Sequence, residues 1–453
     1  MSVFLSTLWS NLIKLPANLK EELCTVAYQD TTQRMRQKFS LHLHPLRVTE
    51  RALSPWLTLG LGIITATLFF LLTATGILLM FYYMPTTADA YPSIQDIQYA
   101  VSFGALVRAL HRFAAHGMVA TVALHLVRIV ATGAYRRRAL NWLFGLSLLG
   151  LTLGLAFTGY LLPWDQLSYW AVSVAVSLLD HTPVVGRLLK EMLLGGPQVA
   201  QPTLLRFYVL HVALLPIAVL VLLTLHLWRI RKDDGLASEP GQSLPTLPAW
   251  PHLILREALV VMGVVAVLFV LASMVYAPLG SPADPHHPGD VERAPWYFLW
   301  LQEMVSYSAP VGGFVFPGCL GLGLLLLPFF EREDRGTGLW FGTRAGRRTA
   351  AITVAAAAIL FVLFEYLKLR QGGADAGLAS NWLQDVFNPA AGMLALSIVA
   401  TLVAGGLTGS SRNAFLAGFL VLAVALLGFT LMGLCRGPGW EFYWPWEVWP
   451  GAS

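Results

Sequence analysis

The sequence predicts an all-α integral membrane protein with about nine transmembrane helices, a four-helix bundle followed by a further helical part. Of the 453 residues, 56% are apolar and only 12% are charged, against about 25% charged in an average soluble protein. The stretches 52–83 and 139–164 contain no charged side chain, and about 18 apolar residues suffice to cross a bilayer. A water-soluble enzyme is excluded. The net charge of +5, without a basic block among aromatic residues, gives no support for nucleic-acid binding.

Nine stretches have the length and hydropathy of a spanning helix. They are residues 54–83, 105–132, 139–162, 204–229, 256–277, 305–330, 349–367, 389–408 and 413–434. Residues 1–28 are expected to form an amphipathic helix on the membrane surface, within a surface segment at 1–50. The charged, proline-containing stretch 229–257 separates a four-helix domain at 51–235 from a C-terminal domain at 236–453 that carries the extra helices.

The positions of Lys and Arg predict the orientation of the chain. If the N-terminus lies inside, the inside segments hold twenty of the thirty basic residues, the outside segments hold six, and four lie within predicted helices. By the positive-inside rule we expect the N-terminus inside and the C-terminus outside. The expected location is a prokaryotic cytoplasmic (inner) membrane. The C-terminal Trp440, Trp444, Trp446 and Trp449 would then form either an interfacial aromatic belt, which we favour, or a docking surface for a partner.

The second predicted span contains several ionisable residues, which are costly at membrane depth and need a partner. His111 and His125 are fourteen residues apart, which places both imidazoles on one face, about 21 Å apart along the axis. The fourth span repeats this arrangement with His211 and His226, fifteen residues apart. Two helices that each present two stacked histidines can hold two planar cofactors, one near each membrane face. This describes two non-covalent b-type haems, each with two histidine ligands to its iron.

The alternative interpretation is that these are buried histidines bonded to neighbouring polar groups. We favour it less, because two pairs with matching rise occur on two apolar helices. His116 lies about 140° around the helix from His111 and is interpreted as a core or hydrogen-bonding histidine. The three cysteines stand far apart and form no CxxC pattern, so covalent haem, zinc and iron–sulfur sites are not supported.

Glycines repeat the same spacing on the two neighbouring helices. Gly62 and Gly76 are fourteen residues apart on the first span, and Gly145 and Gly159 are fourteen apart on the third. Glycine allows a flat ring to approach the backbone closely, so these four residues are expected to line the haem sites. Close helix–helix packing is the alternative role for each of them.

Three arginines lie three to five residues from the histidines, namely Arg108, Arg128 and Arg206. Each could neutralise a haem propionate through a charge-assisted hydrogen bond. Snorkelling of the long side chain to the membrane interface is the alternative, above all for Arg128.

Three segments carry a family resemblance. They are RALHRFAAHGMVATVALHLVR at 108–128, TGYLLPWDQLSYWAV at 158–172 and RFYVLH at 206–211. Together they resemble cytochrome b of the quinol-oxidising cytochrome bc complexes, over roughly residues 40–345, and the N-terminal half looks most like the photosynthetic-type protein. The resemblance implies that His111 and His211 hold the low-potential haem near the outer face. It implies that His125 and His226 hold the high-potential haem near the inner face.

Two departures from the family pattern matter. Gly60 stands where the photosynthetic-type protein has a cysteine that attaches an extra haem, so this haem should be absent. The outer quinol pocket of the family carries Pro-Glu-Trp-Tyr, and the matching residues here are Ala294, Pro295, Trp296 and Tyr297. The usual proton-accepting glutamate is therefore replaced by proline, whereas Trp296, Tyr297 and Tyr160 keep the aromatic part of a quinone pocket.

A quinol oxidised in that pocket must still lose two protons, so another group has to accept them. Glu292 and Glu303, which flank the motif, and Asp165 are the candidate acceptors, with a solvated loop carboxylate as the alternative for each. The inner quinone site is less readable, because the positive-inside rule alone predicts charge at that face. Its weak candidates are Arg231, Lys232, Asp233 and Asp234.

The resemblance implies a cytochrome b subunit of a quinol:cytochrome c oxidoreductase-type complex in a proton-translocating respiratory chain. Its substrate would be quinol, and one electron would cross the lipid bilayer through the two haems. An iron–sulfur protein and a c-type cytochrome would be separate subunits of a homodimeric complex. The lost glutamate leaves a second interpretation open, a non-bifurcating di-haem conduit between quinone and another redox partner. A transporter or channel would need broken helices or a polar pore, which the stacked histidines do not resemble.

Overall fold

The computed structural model describes residues 47–182, 184–233, 235–242, 244–287, 293–331, 333–371, 388–444 and 446–447. In this part of the chain, nine helices are long and apolar enough to cross a membrane, as predicted. They are α1 (Leu61–Met80), α2 (Gly104–Thr132), α3 (Ala139–Leu161), α4 (Gln201–Lys232), α5 (Ala249–Met274), α6 (Val311–Phe330), α7 (Arg344–Gln371), α8 (Pro389–Thr408) and α9 (Ser411–Leu434). The protein is therefore an all-α, multi-pass membrane protein. Residues 1–46 of the predicted surface segment lie outside the described part.

Shorter elements occupy the connections. We call the end of the bundle that carries His111 and His211 the outer end, and the end that carries His125 and His226 the inner end. The outer connections contain the helices Ala90–Tyr99, Gln166–Ser177, Gly186–Leu194 and Trp296–Tyr307. At the inner end, strands β1 (Arg47–Thr49) and β2 (Thr246–Pro248) pair antiparallel.

The first predicted span begins later than residue 54. Leu59 and Gly60 have left-handed backbone angles, with φ of 50° and 61°, so a short helix Pro55–Thr58 ends there and α1 starts at Leu61. A left-handed residue does not continue a right-handed helix. Hydropathy is continuous across this break, and hydropathy alone cannot reveal it.

The sixth predicted span, 305–330, is divided in two. The helix Trp296–Tyr307 ends at Ser308, which is extended with φ of −161°, and α6 begins with a π-helical turn at Val311–Val315. Pro310 favours the break because it has no backbone N–H with which to continue the preceding helix, and the Ser308 hydroxyl oxygen accepts the backbone N–H of Val311 at 3.2 Å. The helix that carries the aromatic motif is thus separate from the membrane span that follows it.

Helices α1 to α4 form the predicted bundle, with α1 packed against α2 and α3 against α4. The bundle core is apolar and includes Leu68, Phe69, Ala114, Met118 and Val219. Helix α5 packs against α1 and α2, where its Leu268 joins the same core. Apolar side chains such as Leu259 and Val267 on α5 stay exposed, as expected for a surface in contact with lipid.

Helices α7, α8 and α9 form a second core, and the helix Trp296–Tyr307 packs on α9. Fully buried side chains in this core include Met304, Phe316, Met393 and Phe429. Helix α6 contacts α3, so the C-terminal part adjoins the bundle directly.

Charged side chains at the inner end join the two parts. Arg136 lies 3.4 Å from Glu331 and 3.1 Å from Asp334, and the Arg136 and Glu331 side chains are 3% and 0% exposed. Tyr135 donates to the same Glu331 carboxylate at 2.9 Å. Burial, together with that carboxylate, raises the pKa of Tyr135 well above its ordinary value. Because Arg136 follows α2 and Glu331 follows α6, this buried network fastens the C-terminal part to the bundle.

Candidate functional site

His111 on α2 and His211 on α4 face each other at the outer end. Their ring centroids are 6.2 Å apart and their planes are inclined by 70°. The Nδ1 of His111 lies 2.9 Å from Thr75 Oγ1, and that of His211 lies 3.1 Å from the Leu155 carbonyl oxygen. A histidine that binds a metal through one ring nitrogen donates its other N–H to such an oxygen. The arrangement leaves both Nε2 atoms available to a ligand.

Glycines of the neighbouring helices lie against these two rings. A Cβ added at Gly76 on α1 would lie 3.3 Å from His111 Cε1. One added at Gly159 on α3 would lie 2.4 Å from His211 Cε1. Any larger residue would therefore crowd the imidazole, and the predicted glycines form a cradle around the outer pair.

His125 and His226 lie further along the same two helices, at the inner end. Both line a cavity of about 2170 Å³ whose walls come from α1 to α5. Their Nδ1 atoms are buried and have no hydrogen-bond partner among the described residues. As at the outer pair, a ligand would be bound through Nε2, and the cavity that both rings line provides the space for it. The cavity exceeds the roughly 300–1,000 Å³ of an ordinary small-molecule site.

The inner pair has the same glycine cradle. A Cβ added at Gly62 would lie 3.9 Å from His125 Cε1, and one at Gly145 would lie 3.5 Å from His226 Cε1. The structure thus brings the eight predicted residues together as two sets, each with two histidines and two glycines. Paired imidazoles and flanking glycines fit a planar, iron-containing cofactor in each set.

A π-helical turn at Leu210–Leu214 carries His211. Such a turn accommodates one residue more than an α-helical turn. The fifteen-residue spacing of the histidines on α4 therefore matches the fourteen-residue spacing on α2. The offset of about 60° past four turns expected for a regular helix becomes about 40° short of four turns, as on α2. Sequence reasoning misses this turn, and the signal that could have revealed it is Pro216, which lacks a backbone N–H.

The three predicted arginines bond to backbone carbonyl oxygens. Arg108 is buried and donates to two carbonyls of the segment after α5, each at 2.7 Å. Arg128 is buried and donates to the carbonyl of Leu57 at 3.2 Å, whereas the exposed Arg206 donates to that of Glu191 at 3.0 Å. These bonds fasten connecting segments to the helix ends, and contact with a propionate stays a prediction for all three.

The aromatic motif at the outer end is held by α2. The Trp296 indole N–H donates to His116 Nδ1 at 3.0 Å, and the Tyr297 ring centroid lies 5.8 Å from that of His116. Tyr297 is buried, whereas Trp296 is 37% exposed. Burial raises the pKa of the Tyr297 phenol to about 12, so the phenol stays protonated at neutral pH. His116, interpreted from the sequence as a core or hydrogen-bonding residue, orients this motif.

Tyr160 lies half-buried near the end of α3. One turn earlier, Phe157 contacts Phe298 with ring centroids 6.2 Å apart. This contact brings the end of α3 to the helix that begins with Trp296 and Tyr297, so the three predicted aromatic residues lie in one region at the outer end.

The candidate proton acceptors are placed differently from one another. Both carboxylate oxygens of Asp165 accept backbone N–H groups, at 2.9 and 3.1 Å, one of them from the helix Gln166–Ser177 that Asp165 caps. Glu303 is fully buried in an ion pair with Arg436. Glu292 lies outside the described residues. The structure therefore places neither Asp165 nor Glu303 as an open carboxylate in the aromatic region.

The charged residues predicted as candidates for the inner quinone site also differ in their surroundings. Arg231 and Lys232 line the inner cavity with the histidine pair. Asp233 forms an ion pair with Arg229 at 3.0 Å, and Asp234 lies outside the described residues.

The C-terminal tryptophans do not act as one set. Trp444 and Trp446 are exposed and stack with ring centroids 5.1 Å apart, which is compatible with a surface belt. Trp440 differs from that prediction, because its indole N–H donates to Glu303 Oε2 at 3.1 Å in the protein interior. Trp449 lies outside the described residues.

Comparisons with known proteins match the part of the chain that carries the histidine pairs. The family model described as Cytochrome b/b6/petB matches residues 48–234, which contain both histidine pairs. Cytochrome b6 of Oltmannsiellopsis viridis is 46% identical over 174 residues, which is 38% of this chain and 81% of that protein. Cytochrome b6 of Heliobacterium mobile is 46% identical over 172 residues, with the same two shares.

The likeness in fold extends further than the likeness in sequence. A chain of a hyperthermophilic respiratory Complex III matches with a TM-score of 0.61 and 25% sequence identity. The match covers 90% of this chain and 98% of that chain. The C-terminal helices are thus included in the similarity of fold.

Proposed function

The chain belongs to the cytochrome b/b6 family, and on that basis we propose that it is the quinol-oxidising subunit of a quinol:cytochrome c oxidoreductase-type complex. As a member of the family it is a multi-pass membrane cytochrome b that acts in electron transfer. The proposal adds the substrate, quinol, and a path across the bilayer through two stacked b haems.

The stacking of the two histidine pairs carries the proposal. His111 with His211, and His125 with His226, occupy successive levels of the same two helices, and each pair faces two glycines. The levels are about 21 Å apart along α2, and the hydrocarbon core of a bilayer is about 30 Å thick. Two cofactors at these levels would span most of the membrane, which supports electron transfer from one face to the other.

The chain contributes orientation and a dry environment. Haem iron, when bound, supplies a site that gains and loses one electron. The four imidazoles would hold the iron, and the hydrogen bonds of the outer pair to Thr75 and Leu155 fix the direction of those rings. The apolar core between the two levels excludes water, and the glycines leave room for flat rings.

Quinol oxidation is assigned to the outer aromatic region of Tyr160, Trp296 and Tyr297. His116 holds the Trp296 indole, and the protonated Tyr297 phenol can donate a hydrogen bond to a quinol oxygen. Replacing Glu292, Glu303 and Asp165 each by its amide tests the candidate acceptors. Unchanged rates of quinol-dependent haem reduction in all three variants would contradict their proposed role.

Haem content and quinol reactivity test the proposal as a whole. The purified full-length protein should contain two b haems per chain, and a soluble quinol should reduce them. His111→Ala should leave one haem, whereas His116→Ala, five residues along α2, should keep both as the matched control. A preparation without haem, or one whose haems quinol does not reduce, would contradict the proposal.

The replacement of the pocket glutamate by Pro295 favours a second candidate function. Without that carboxyl, the chain would suit a conduit in which both electrons of the quinol take the same path to one redox partner. Addition of an oxidant in the presence of quinol discriminates between the two functions. In bifurcation, the two electrons of one quinol take different paths, one of them through the b haems. Oxidant-induced reduction of the b haems, sensitive to an outer-site inhibitor, supports bifurcation, and its absence supports the conduit.

Bifurcation requires partners, because the second electron of each quinol needs an acceptor. An iron–sulfur protein and a c-type cytochrome subunit are proposed for this role, in a homodimeric complex. The likeness in fold to the Complex III chain supports such an assembly. The proposed location is a prokaryotic cytoplasmic membrane with the N-terminus inside, and co-purification of the two partner subunits with this chain tests the assembly.

A further inference from the structure

A buried carboxyl cluster, formed by Glu303, Tyr307, Glu365, Arg436 and Trp440, joins the helix of the aromatic motif to α7 and to the segment after α9. Arg436 Nε lies 3.0 Å from both Glu303 carboxylate oxygens, and Trp440 Nε1 donates to one of them at 3.1 Å. The Tyr307 hydroxyl contacts Glu303 and lies 2.7 Å from Glu365 Oε2. Glu303 is 0% and Glu365 is 4% exposed. Two buried carboxyl groups therefore lie on either side of one tyrosine hydroxyl, and among the described residues Arg436 forms an ion pair with Glu303 alone.

The number of hydrogens in the cluster determines where charge can lie. The Tyr307 hydroxyl has one hydrogen to donate and two positions that accept. Its oxygen contacts both carboxyl groups and accepts from Arg436 Nη2 at 3.2 Å. The hydroxyl can donate to only one of the carboxyl groups, so the other must donate to the hydroxyl. Arg436 and Trp440 already donate to Glu303, which makes Glu303 the carboxylate. Glu365 is then the carboxylic acid.

The surroundings of Glu365 agree with a neutral side chain. Its Oε1 is buried and has no hydrogen-bond partner among the described residues. An unpaired carboxylate oxygen in the interior is far more costly than the carbonyl oxygen of a neutral acid. The other titratable groups around the cluster are Lys368, one turn along α7, and Arg293 and Cys435 on the side of Arg436.

We propose that Glu303, Tyr307 and Glu365 form a site for one exchangeable proton, which Glu365 holds at neutral pH and which Tyr307 can pass to Glu303. In the transfer the Glu365 O–H bond breaks while a new O–H bond forms on Tyr307, and the original Tyr307 proton moves to Glu303. No electron moves, and the cluster keeps its total charge. Arg436 favours the negative charge on Glu303, so the proton returns to Glu365.

The position of this proton site connects it to the outer aromatic region. Glu303 and Tyr307 belong to the same helix as Trp296 and Tyr297. A proton released beside Tyr297 during quinol oxidation would change the charge about 9 Å along this helix from Glu303. This last connection rests on the proposed function, whereas the protonation of Glu365 does not.

Infrared spectroscopy of the haem-loaded, full-length protein tests the proton. A protonated carboxylic acid has a carbonyl stretch that is distinct from carboxylate bands and shifts in D₂O. The wild type should show this band at neutral pH, and Glu365→Gln should remove it. Glu331→Gln is the matched control, since Glu331 is another buried glutamate that bonds a tyrosine but is paired with Arg136. Absence of the band from the wild type, or its persistence in Glu365→Gln, would overturn the proposal.

Tyr307→Phe tests the connection between the two carboxyl groups. Phenylalanine keeps the ring that packs near Phe429, with centroids 6.3 Å apart, and removes only the hydroxyl. In the wild type, reduction by quinol should perturb the Glu365 band, and in Tyr307→Phe the band should remain without that response. An equal response in both proteins would overturn the connection. Failure of the proposed function appears separately, as haems that quinol does not reduce, while the band in the resting protein still tests the proton.

Discussion

Replacing Gly159 by alanine tests whether the glycine cradle is what admits a cofactor to the outer histidine pair. The added Cβ would lie 2.4 Å from His211 Cε1 and 2.9 Å from its Nδ1. Non-bonded carbon atoms prefer a separation of about 3.5–4.0 Å. The imidazole would therefore have to move by about 1 Å, away from the direction in which its Nδ1 meets the Leu155 carbonyl.

The cost of that displacement can be converted into haem affinity. Overpacking by one methyl group in a well-packed core costs about 1–3 kcal/mol. If this cost falls on the haem-bound state, affinity at the outer level should fall about 5- to 150-fold, since 1.4 kcal/mol is roughly a tenfold change. The inner level is about 21 Å away along α2 and should keep its affinity.

The other three glycines beside the histidine rings extend this prediction to a graded series. The corresponding distances are 3.3 Å at Gly76, 3.5 Å at Gly145 and 3.9 Å at Gly62, so the loss caused by alanine should decrease in that order. Gly150 provides a matched control on α3, because an added Cβ there meets nothing within 4 Å. Alanine at this helical position should be neutral or stabilise the protein by about 0.5–1 kcal/mol.

Haem titration of the purified variants, followed by a redox titration that resolves the two haems, measures the series. Gly159→Ala should lose outer haem selectively, and Gly150→Ala should keep both haems. The reasoning would be refuted if Gly159→Ala lost the inner haem first. It would also be refuted if Gly62→Ala proved as damaging as Gly159→Ala.

Three further variants test separate parts of the structure. Trp296→Phe removes the N–H that His116 accepts, a loss of about 1 kcal/mol, and should raise the apparent KM for quinol several-fold in a steady-state assay while the haem content is unchanged. Arg136→Met leaves the buried Glu331 unpaired and should lower the free energy of unfolding by about 3–5 kcal/mol, seen as an earlier thermal transition. Arg137→Ala, whose side chain is 70% exposed, should cost less than about 1 kcal/mol, and equal losses in these two variants would contradict the assignment of the buried network.

The histidine pairs could be predicted from the sequence because their geometry lies within single helices. Once a stretch is long and apolar enough to be a spanning helix, the spacing of His111 and His125 determines both their common face and their rise. The matching pair on α4 required only the same argument. The π-helical turn shows the limit of that approach, since a regular helix would have left His211 and His226 offset by about 60°.

The candidate proton acceptors show why neighbours in sequence need not be neighbours in a site. Glu303 follows Tyr297 by six residues, which places the two about 120° apart around a helix, and Glu303 faces Arg436 after α9. Arg436 is 133 residues away along the chain, and no local pattern indicates that pairing. For Asp165 a local signal does exist, because an aspartate directly before a helix is a typical N-cap, and the structure shows it in that role.

The ionisable residues in the membrane-spanning part of this chain differ in the kind of group that each one contacts. His111 and His125 of α2 face His211 and His226 of α4 across sites that fit iron-containing cofactors. Arg108 and Arg128 donate to backbone carbonyls. Glu365 is the residue that ends the uncharged stretch 349–364 of the seventh span. Among the described residues it forms no ion pair, and its hydrogen-bond partner is the hydroxyl of Tyr307. A buried carboxylate costs several kcal/mol or more without a counter-charge, so the remaining way to tolerate Glu365 is to keep it protonated. The same requirement that predicts cofactors for the histidines therefore predicts a bound proton for Glu365.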